Sequence, residues 1–226
     1  MSSIVERLVK IKDTLPPDVV LVAVSKYHPC DEILSAYGAG QRVFGENIVQ
    51  ELRGKYESLP KDIEWHFIGH LQRNKVKYIA PFVSMIHSVD SLDLLREIDR
   101  QAARYNRVIP CLLQIHVAQE ETKFGFSLEE CTQMLLEGTW RKLGHVRLCG
   151  IMGMATNTDD VEQVRREFRF LKNYFNELKT AFFQDDAMFS CRSWGMSDDY
   201  RIALSEGSNM VRVGSRIFGP RPLRQQ

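Results

Sequence analysis

Eight short apolar runs recur along the chain, and most of the gaps between them have the apolar spacing of helices. Continuous runs of this length, rich in β-branched residues, are typical of strands buried on both faces of a parallel sheet. Strands that alternate with helices, with no two-residue hairpin signal between them, indicate parallel βαβ units. We predict strands over residues 20–25, 43–45, 65–69, 85–89, 111–117, 149–154, 189–194 and 210–213.

The number of strands favours one architecture. Eight parallel strands close a (β/α)8 TIM barrel, whose sites lie at the carboxyl ends of the strands. We therefore predict an α/β fold with a single (β/α)8 barrel and an extra N-terminal helix; the alternative is an open, doubly wound sheet. No glycine- or proline-rich linker divides the chain, so residues 1–226 are predicted to form one domain.

Helix starts are marked by caps and by apolar stripes. Ser3 with Glu6, and Ser127 with Glu130, have the spacing of capping boxes, and Ser91 is a further candidate cap. Apolar residues in steps of three and four predict a helix after Ser91 and another after Thr158. The two stripes consist of Leu95, Ile98, Ala102 and Tyr105, and of Val161, Val164, Phe168, Leu171, Phe175 and Leu178.

The composition excludes several classes of protein. The 226 residues are 44% hydrophobic and carry a formal net charge of +1, which gives no reason to expect nucleic acid or an anionic membrane as partner. No apolar stretch approaches the roughly 20 residues of a membrane span, and the N-terminus lacks a signal-peptide pattern. Five cysteines without C-x-x-C spacing suggest neither a disulfide framework nor a thiolate zinc site. We therefore predict a cytoplasmic protein.

Lys26 closes the first predicted strand and is therefore placed at the carboxyl edge of the sheet. Burial there favours the neutral amine, because desolvation penalises the ammonium form. A neutral lysine amine can attack an aldehyde and form an imine. The alternative from this segment alone is a surface lysine that merely ends the strand.

Two loops near the other end of the chain offer phosphate-binding groups, as barrels often do after strands seven and eight. Ser197 is predicted to stand at a helix N-terminus, where its hydroxyl and free N–H groups hold phosphate oxygens; the alternative is a simple helix cap. After the eighth strand, Gly214 permits close backbone approach, so the N–H groups of Gly214 and Ser215 can point at an anion. Arg212 alternates onto the same face as Gly214, and an arginine within an apolar strand needs a partner.

These groups together suit one cofactor. Pyridoxal phosphate requires an amine for its aldehyde and a cradle for its phosphate, which Lys26 and the groups at Ser197, Gly214 and Ser215 would supply. Arg212 would then lie beside the pyridine nitrogen, where a permanent cation opposes protonation and weakens the ring as an electron sink. Such a site holds the cofactor but is poorly suited to demanding carbanion chemistry.

The chain resembles the pyridoxal-phosphate homeostasis protein family, whose fold is similar to the barrel domain of bacterial alanine racemases. The resemblance extends from Leu21 to Phe218, and eight segments in family order carry it. They are residues 23–26, 44–47, 65–69, 87–91, 123–125, 150–152, 195–199 and 211–214, with supporting matches at 50–51, 71–72 and 74–75.

The resemblance implies cofactor-binding roles for six residues. Three positions depart from the usual pattern, because Tyr27 and Ser215 stand where threonine is usual and Trp194 stands where methionine is frequent. Ser215 keeps both hydroxyl and N–H, so its phosphate role survives, whereas Tyr27 and Trp194 concern the wall of the pocket. The implied roles are Lys26 as the Schiff-base lysine, Arg212 facing the pyridine nitrogen, Ser197, Gly214 and Ser215 at the phosphate, and Asn47 near the ring.

The function implied by the resemblance is that of a monomeric carrier that binds pyridoxal phosphate reversibly. It would buffer the cofactor or deliver it to apo forms of pyridoxal-phosphate enzymes, without robust catalysis of its own. One alternative is a small amino-acid racemase. In alanine racemase the second base is a tyrosine of a separate C-terminal domain, whereas this chain ends at Gln226 just after the predicted barrel, which favours the carrier. Another alternative is an isomerase or aldolase acting on a phosphorylated metabolite, which would use the same lysine and cradle.

A few further residues have less specific patterns. His66 and His70 lie four apart, as in a helical metal pair, but their place in and after a strand predicts a pocket or core role for His66 and no metal site. Met152 and Met154 are predicted to pack in the core. Lys123 is either a cation at the pocket mouth or a solvated loop lysine.

Overall fold

The computed structural model describes residues 2–118 and 124–220, in which eight parallel strands close into a barrel. Each strand pairs with the next one in the chain, and the last pairs with the first in a register that joins Val20 to Met210 and Ala23 to Val213. The predicted barrel is confirmed, and the open-sheet alternative is wrong. The strands are β1 (Val20–Val24), β2 (Val43–Glu46), β3 (Glu64–Phe67), β4 (Met85–Val89), β5 (Ile109–Ile115), β6 (Val146–Gly153), β7 (Cys191–Ser193) and β8 (Met210–Val213).

Helices follow the strands and cover the barrel, and one further helix precedes the first strand. Both predicted capping boxes are present, because the hydroxyls of Ser3 and Ser127 accept from the N–H groups of Glu6 and Glu130 and the glutamates bond back to the cap N–H groups. The helices are α1 (Ile4–Lys12), α2 (Cys30–Gly38), α3 (Val49–Ser58), α4 (Val76–Ile79), α5 (Leu92–Ala103), α6 (Leu128–Glu137), α7 (Val161–Phe182), α8 (Tyr200–Ser205) and α9 (Ser215–Phe218).

Two strands, β4 and β8, have the predicted bounds, and the other elements differ at their ends. Phe189 and Trp194 are fully buried but lie outside the short β7, so their apolar character reflects core packing rather than strand pairing. Val161 and Tyr105 were expected on buried helix stripes but are 50% and 48% exposed. The reason is that Val161 begins α7 and Tyr105 lies beyond the end of α5. Within the two described ranges, no helix is both long and apolar enough to cross a bilayer.

A bulge in β6 shapes the barrel beneath its carboxyl edge. Cys111 pairs with Leu148 and Leu112 pairs with Gly150, which leaves Cys149 as an extra residue in β6. Gly150 has a φ of +151°, and a Cβ on it would lie 1.9 Å from the carbonyl oxygen of Cys191. Only a residue without a side chain therefore allows β7 to pair at this position.

We expect Gly150→Ala to lower the free energy of unfolding by more than about 2 kcal/mol, because the added methyl meets rigid backbone on β7. Urea denaturation of the purified variant measures this loss. Gly144→Ala is the matched control, since a Cβ there has no atom within 4 Å, and its effect should stay within about 0.5 kcal/mol. Equal stabilities of the two variants would contradict the account of the bulge.

Candidate functional site

A cavity of about 440 Å³ opens at the carboxyl ends of the barrel strands. Loops that follow β1, β2, β3, β5, β6, β7 and β8 contribute to its wall. The structure thus brings together side chains from almost the whole length of the chain. All six residues singled out from the sequence line this cavity: Lys26, Asn47, Ser197, Arg212, Gly214 and Ser215.

Lys26 occupies a tight turn directly after β1. The turn is closed by a hydrogen bond of 3.1 Å from the His28 N–H to the Ser25 carbonyl oxygen. Tyr27 adopts a φ of +69°, the left-handed conformation that this kind of turn requires and that glycine usually supplies. Its N–H donates to Glu51 Oε1 at 2.6 Å. Lys26 itself is half-buried and lines the cavity at the carboxyl edge of the sheet.

The loops after β7 and β8 meet at a second side of the cavity. Ser197 Oγ accepts a hydrogen bond of 3.1 Å from the Gly214 N–H, which joins the two loops. A Cβ on Gly214 would lie 3.1 Å from the Val24 carbonyl oxygen, so a glycine suits this approach to β1. Because α9 begins at Ser215, the first N–H groups of this short helix have no partner within it. Hydroxyl and N–H donors therefore gather at one place.

The position of Ser197 relative to α8 differs from the prediction. Ser197 was expected at the N-terminus of a helix, either holding phosphate or capping. The helix instead begins at Tyr200, and Ser197 lies in the preceding turn, where Asp199 Oδ1 accepts from the Met196 N–H at 2.5 Å. The hydroxyl of Ser197 is committed to Gly214 rather than to α8, because the two loops are brought into contact by the sheet.

Arg212 points into the barrel at the floor of the cavity. Its Nη1 donates to the carbonyl oxygen and Oγ of Ser193 at 2.8 and 2.6 Å, and its Nη2 donates to the Gly153 carbonyl oxygen at 3.0 Å. Burial lowers the pKa of Arg212 to about 10, with Asp199 opposing the shift, so the guanidinium stays charged at neutral pH. No carboxylate of the described ranges forms an ion pair with it.

A chain of neutral groups continues from Arg212 into the core. Ser193 Oγ lies 3.1 Å from His87 Nδ1, and His87 Nε2 lies 3.0 Å from His66 Nδ1. Desolvation lowers the pKa of His66 to about 4 and that of His87 well below its usual value, so both rings are neutral at pH 7. His66 is thus a core group, one of the two roles expected for it.

The mouth of the cavity carries an aromatic stack that the sequence did not reveal. The ring of His70 stacks on Phe124 with centroids 3.7 Å apart, and His70 Nδ1 lies 3.1 Å from Asp90 Oδ2. A carboxylate therefore accompanies His70. Within residues 2–118 and 124–220, no three His, Cys, Asp or Glu side chains cluster in a way that could hold a metal ion.

Several cavity residues were missed from the sequence, and two expected ones lie elsewhere. Met154 packs against the buried core cluster that contains Met152, as predicted, and it also lines the cavity. Trp194 is fully buried, and neither it nor Tyr27 contributes to the wall. Lys123 lies outside the described residues. The common signal of the missed residues is a position shortly beyond a strand's carboxyl end or in the loop that follows it. They include His28, Ile68, His70, Phe124, Met154 and Met196.

Asn47 follows β2 and completes the wall. Its Oδ1 is buried and has no hydrogen-bond partner among the described residues. Gly69 allows the neighbouring loop to approach, because a Cβ there would lie 2.5 Å from the Asn47 carbonyl oxygen. The amide of Asn47 is therefore held at the wall by close backbone packing, with one polar atom available to a ligand.

Known proteins match this chain both as a family and as individual sequences. The chain matches the family described as "Alanine racemase, N-terminal domain" over residues 1–222. It is 40% identical to the pyridoxal phosphate homeostasis protein of Aquifex aeolicus over an alignment of 202 residues. The alignment covers 89% of this chain and 86% of the relative. A similar relative from Synechocystis is 38% identical over 211 residues, 92% of this chain and 94% of the relative.

Solved structures agree with these sequence matches. PipY of Synechococcus elongatus with pyridoxal phosphate bound is 35% identical, with a TM-score of 0.86 over 96% of this chain and 100% of PipY. Alanine racemase of Clostridium difficile shares the fold at 18% identity, with a TM-score of 0.74 over 98% of this chain and 57% of the racemase. The barrel and the sequence matches agree: the chain belongs to the pyridoxal phosphate homeostasis protein family.

Proposed function

We propose that this chain is a single-domain carrier that binds pyridoxal phosphate reversibly in the cavity, on Lys26, and buffers or delivers it. The observation that carries the proposal is the convergence of an amine, a buried guanidinium and a set of hydroxyl and N–H donors on one cavity. The PipY structure, which contains pyridoxal phosphate, supports it. The recipients would be apo forms of pyridoxal-phosphate enzymes in the cytoplasm, and the carrier would act as a monomer.

The residues of the cavity fit the cofactor in three respects. Lys26 offers a primary amine at the wall, as an aldehyde requires. Ser197, Ser215 and the first turn of α9 offer the hydroxyl and N–H donors that a phosphate requires. Among the described residues, the hydrogen bonds of the charged Arg212 guanidinium go to neutral oxygens, and so it complements a ring nitrogen that accepts a hydrogen bond.

The chain's own residues would hold the cofactor and limit its reactivity. Pyridoxal phosphate, when bound, would supply an aldehyde that can condense with a neutral amine with loss of water. Lys26 Nζ provides that amine after losing its proton. Arg212, which stays protonated, would donate a hydrogen bond to the ring nitrogen and disfavour protonation of that nitrogen, so the ring would remain a weak electron sink. Retention of the cofactor is therefore favoured over carbanion chemistry.

The racemase alternative makes a different demand on the cavity. Two-base racemisation needs an acid or base on each face of the substrate. Within the described ranges no tyrosine lines the cavity, and His70 at the mouth is engaged with Asp90 and Phe124.

Incubation of the loaded protein with L-alanine in deuterated water separates the two functions. Deuterium at the α-carbon with formation of D-alanine, at a rate of enzymatic turnover, would overturn the carrier.

We expect Lys26→Ala to abolish the covalent adduct that borohydride fixes on the chain, and to leave weaker binding through the phosphate. The measurement is peptide mass mapping after reduction, together with the visible absorption of the loaded protein. Lys10→Ala, an exposed lysine on α1, is the control and should retain both signals. An adduct of undiminished yield in Lys26→Ala would disprove the assignment of Lys26.

We expect Ser215→Ala to weaken binding of pyridoxal phosphate roughly tenfold, the value of one hydrogen bond to a charged group. Binding of pyridoxal, which lacks the phosphate, should be unchanged because the hydroxyl then has no anion to contact. Titration with both compounds measures the ratio of the two dissociation constants. A parallel loss for both compounds would place Ser215 away from the phosphate.

A further inference from the structure

A buried cluster of three charged side chains lies beneath the turn that carries Lys26. Lys55 on α3 places its Nζ 2.7 Å from Glu46 Oε1, at the end of β2, and 2.6 Å from Glu51 Oε1, in the first turn of α3. Lys55 is 5% exposed and Glu46 is completely buried. We call Glu46, Glu51 and Lys55 the lysine-turn cluster.

The cluster bonds to the residues on both sides of Lys26. Lys55 Nζ donates to the Ser25 carbonyl oxygen at 2.8 Å, and Ser25 Oγ donates to Glu46 Oε1 at 2.6 Å. On the other side, the Tyr27 N–H donates to Glu51 Oε1 at 2.6 Å. The residues before and after Lys26 are therefore both held by the same three charges.

The cluster is separate from the cavity. None of Glu46, Glu51 and Lys55 is among the residues that line the cavity, although Asn47 directly follows Glu46. The cluster therefore does not line the cavity itself, and its bonds to Ser25 and Tyr27 reach Lys26 through the backbone of the turn. This placement distinguishes a positioning role from direct ligand binding.

The turn needs this support because its conformation is unfavourable. Tyr27 has a Cβ and yet adopts a φ of +69°, which persists only where surrounding contacts impose it. The contact made by its N–H is to a carboxylate, which is a stronger acceptor than a neutral oxygen. Loss of that acceptor would allow the turn to relax and Lys26 to change its direction.

The charges of Glu46, Glu51 and Lys55 interact with one another. Burial raises the pKa of Glu46 to about 7, and Lys55 and Ser25 oppose that rise through their bonds to its carboxylate. Glu46 Oε2 has no hydrogen-bond partner among the described residues, so the other carboxylate oxygen carries these interactions. Removing either the ammonium or Glu51 therefore disturbs the bonds that reach the turn.

We propose that the lysine-turn cluster, in which Lys55 is held between Glu46 and Glu51, fixes the turn and thereby aims Lys26 Nζ into the cavity for condensation with an aldehyde. This role rests on the proposed binding of pyridoxal phosphate. It gives a physical reason for the two acidic residues at 46 and 51, which the cofactor contacts leave unexplained.

The test compares two substitutions of glutamate on the same helix. Glu51→Ala removes the acceptor of the Tyr27 N–H, whereas Glu57→Ala removes an exposed glutamate that pairs with Arg53. The first readout is the rate at which pyridoxal phosphate forms an adduct at Lys26, measured by fixing the adduct with borohydride. The second is the affinity for pyridoxine 5′-phosphate, which has the ring and the phosphate but no aldehyde and therefore reports on the cavity alone.

We expect Glu51→Ala to slow adduct formation at Lys26 by about tenfold, as the loss of one charge-assisted hydrogen bond predicts, with the affinity for pyridoxine phosphate within about twofold of the unsubstituted chain. Glu51→Gln, which retains an acceptor oxygen, should recover most of the rate. Hydrogen exchange at the Tyr27 amide of the ligand-free protein should accelerate in Glu51→Ala and not in Glu57→Ala.

Other outcomes separate the two proposals. An unchanged adduct rate and an unchanged Tyr27 exchange rate in folded Glu51→Ala would overturn the positioning role and leave the carrier intact. Parallel losses of adduct rate and pyridoxine phosphate affinity would also overturn it, because they indicate general damage to the site. If the unsubstituted chain binds neither pyridoxal phosphate nor pyridoxine 5′-phosphate, the carrier proposal fails and the positioning role fails with it. Lys55→Met provides a second test of the cluster, with thermal unfolding as the check that it folds. The folded variant should also form the Lys26 adduct more slowly, and an unchanged adduct rate would overturn the positioning role.

Discussion

Four residue pairs, from Val20 with Met210 to Ala23 with Val213, close the barrel between its last strand and its first. A closed parallel sheet has no free edge, and all its carboxyl ends face the same side. Closure therefore places the turn after β1 beside the loop after β8, although nearly the whole chain separates them. The contact between Gly214 and Val24 shows how closely these segments approach. Without this pairing, Lys26 and Arg212 would have no common cavity.

Two buried cations near this edge are compensated in different ways. Lys55 lies against two carboxylates, so its charge is balanced within the protein. Arg212 is bonded to the neutral oxygens of Ser193 and Gly153, and its pKa of about 10 keeps it charged despite burial. A balanced charge can hold a turn in place, whereas an unbalanced donor at a cavity floor favours a ligand that accepts a hydrogen bond. The contrast supports a structural task for Lys55 and a ligand-directed task for Arg212.

Much of this architecture was predictable because strand and helix patterns are local. The apolar runs identified the strands, and the serine–glutamate spacing identified the starts of α1 and α6. Errors arose where an apolar residue packs without pairing, as at Phe189, or lies at a helix end, as at Val161. Ser197 was misplaced because its hydrogen-bond partner, Gly214, is distant in sequence. The position of Ser197 shortly before α8 therefore does not indicate its role.

Residue patterns alone were enough to specify the class of fold, the edge at which a site forms, and six of the residues that line the cavity there. Periodicity and strand order suffice for the fold, for the edge and for five of these residues, because parallel strands carry the residues that follow them to one side of the sheet. Asn47 was implied only by the family resemblance. Only the tertiary structure decided that Ser197 bonds to Gly214, that His70 stacks on Phe124, and that Glu46, Glu51 and Lys55 surround the turn at Lys26. These contacts join separate loops and depend on distances between elements. No local pattern of residues encodes such distances.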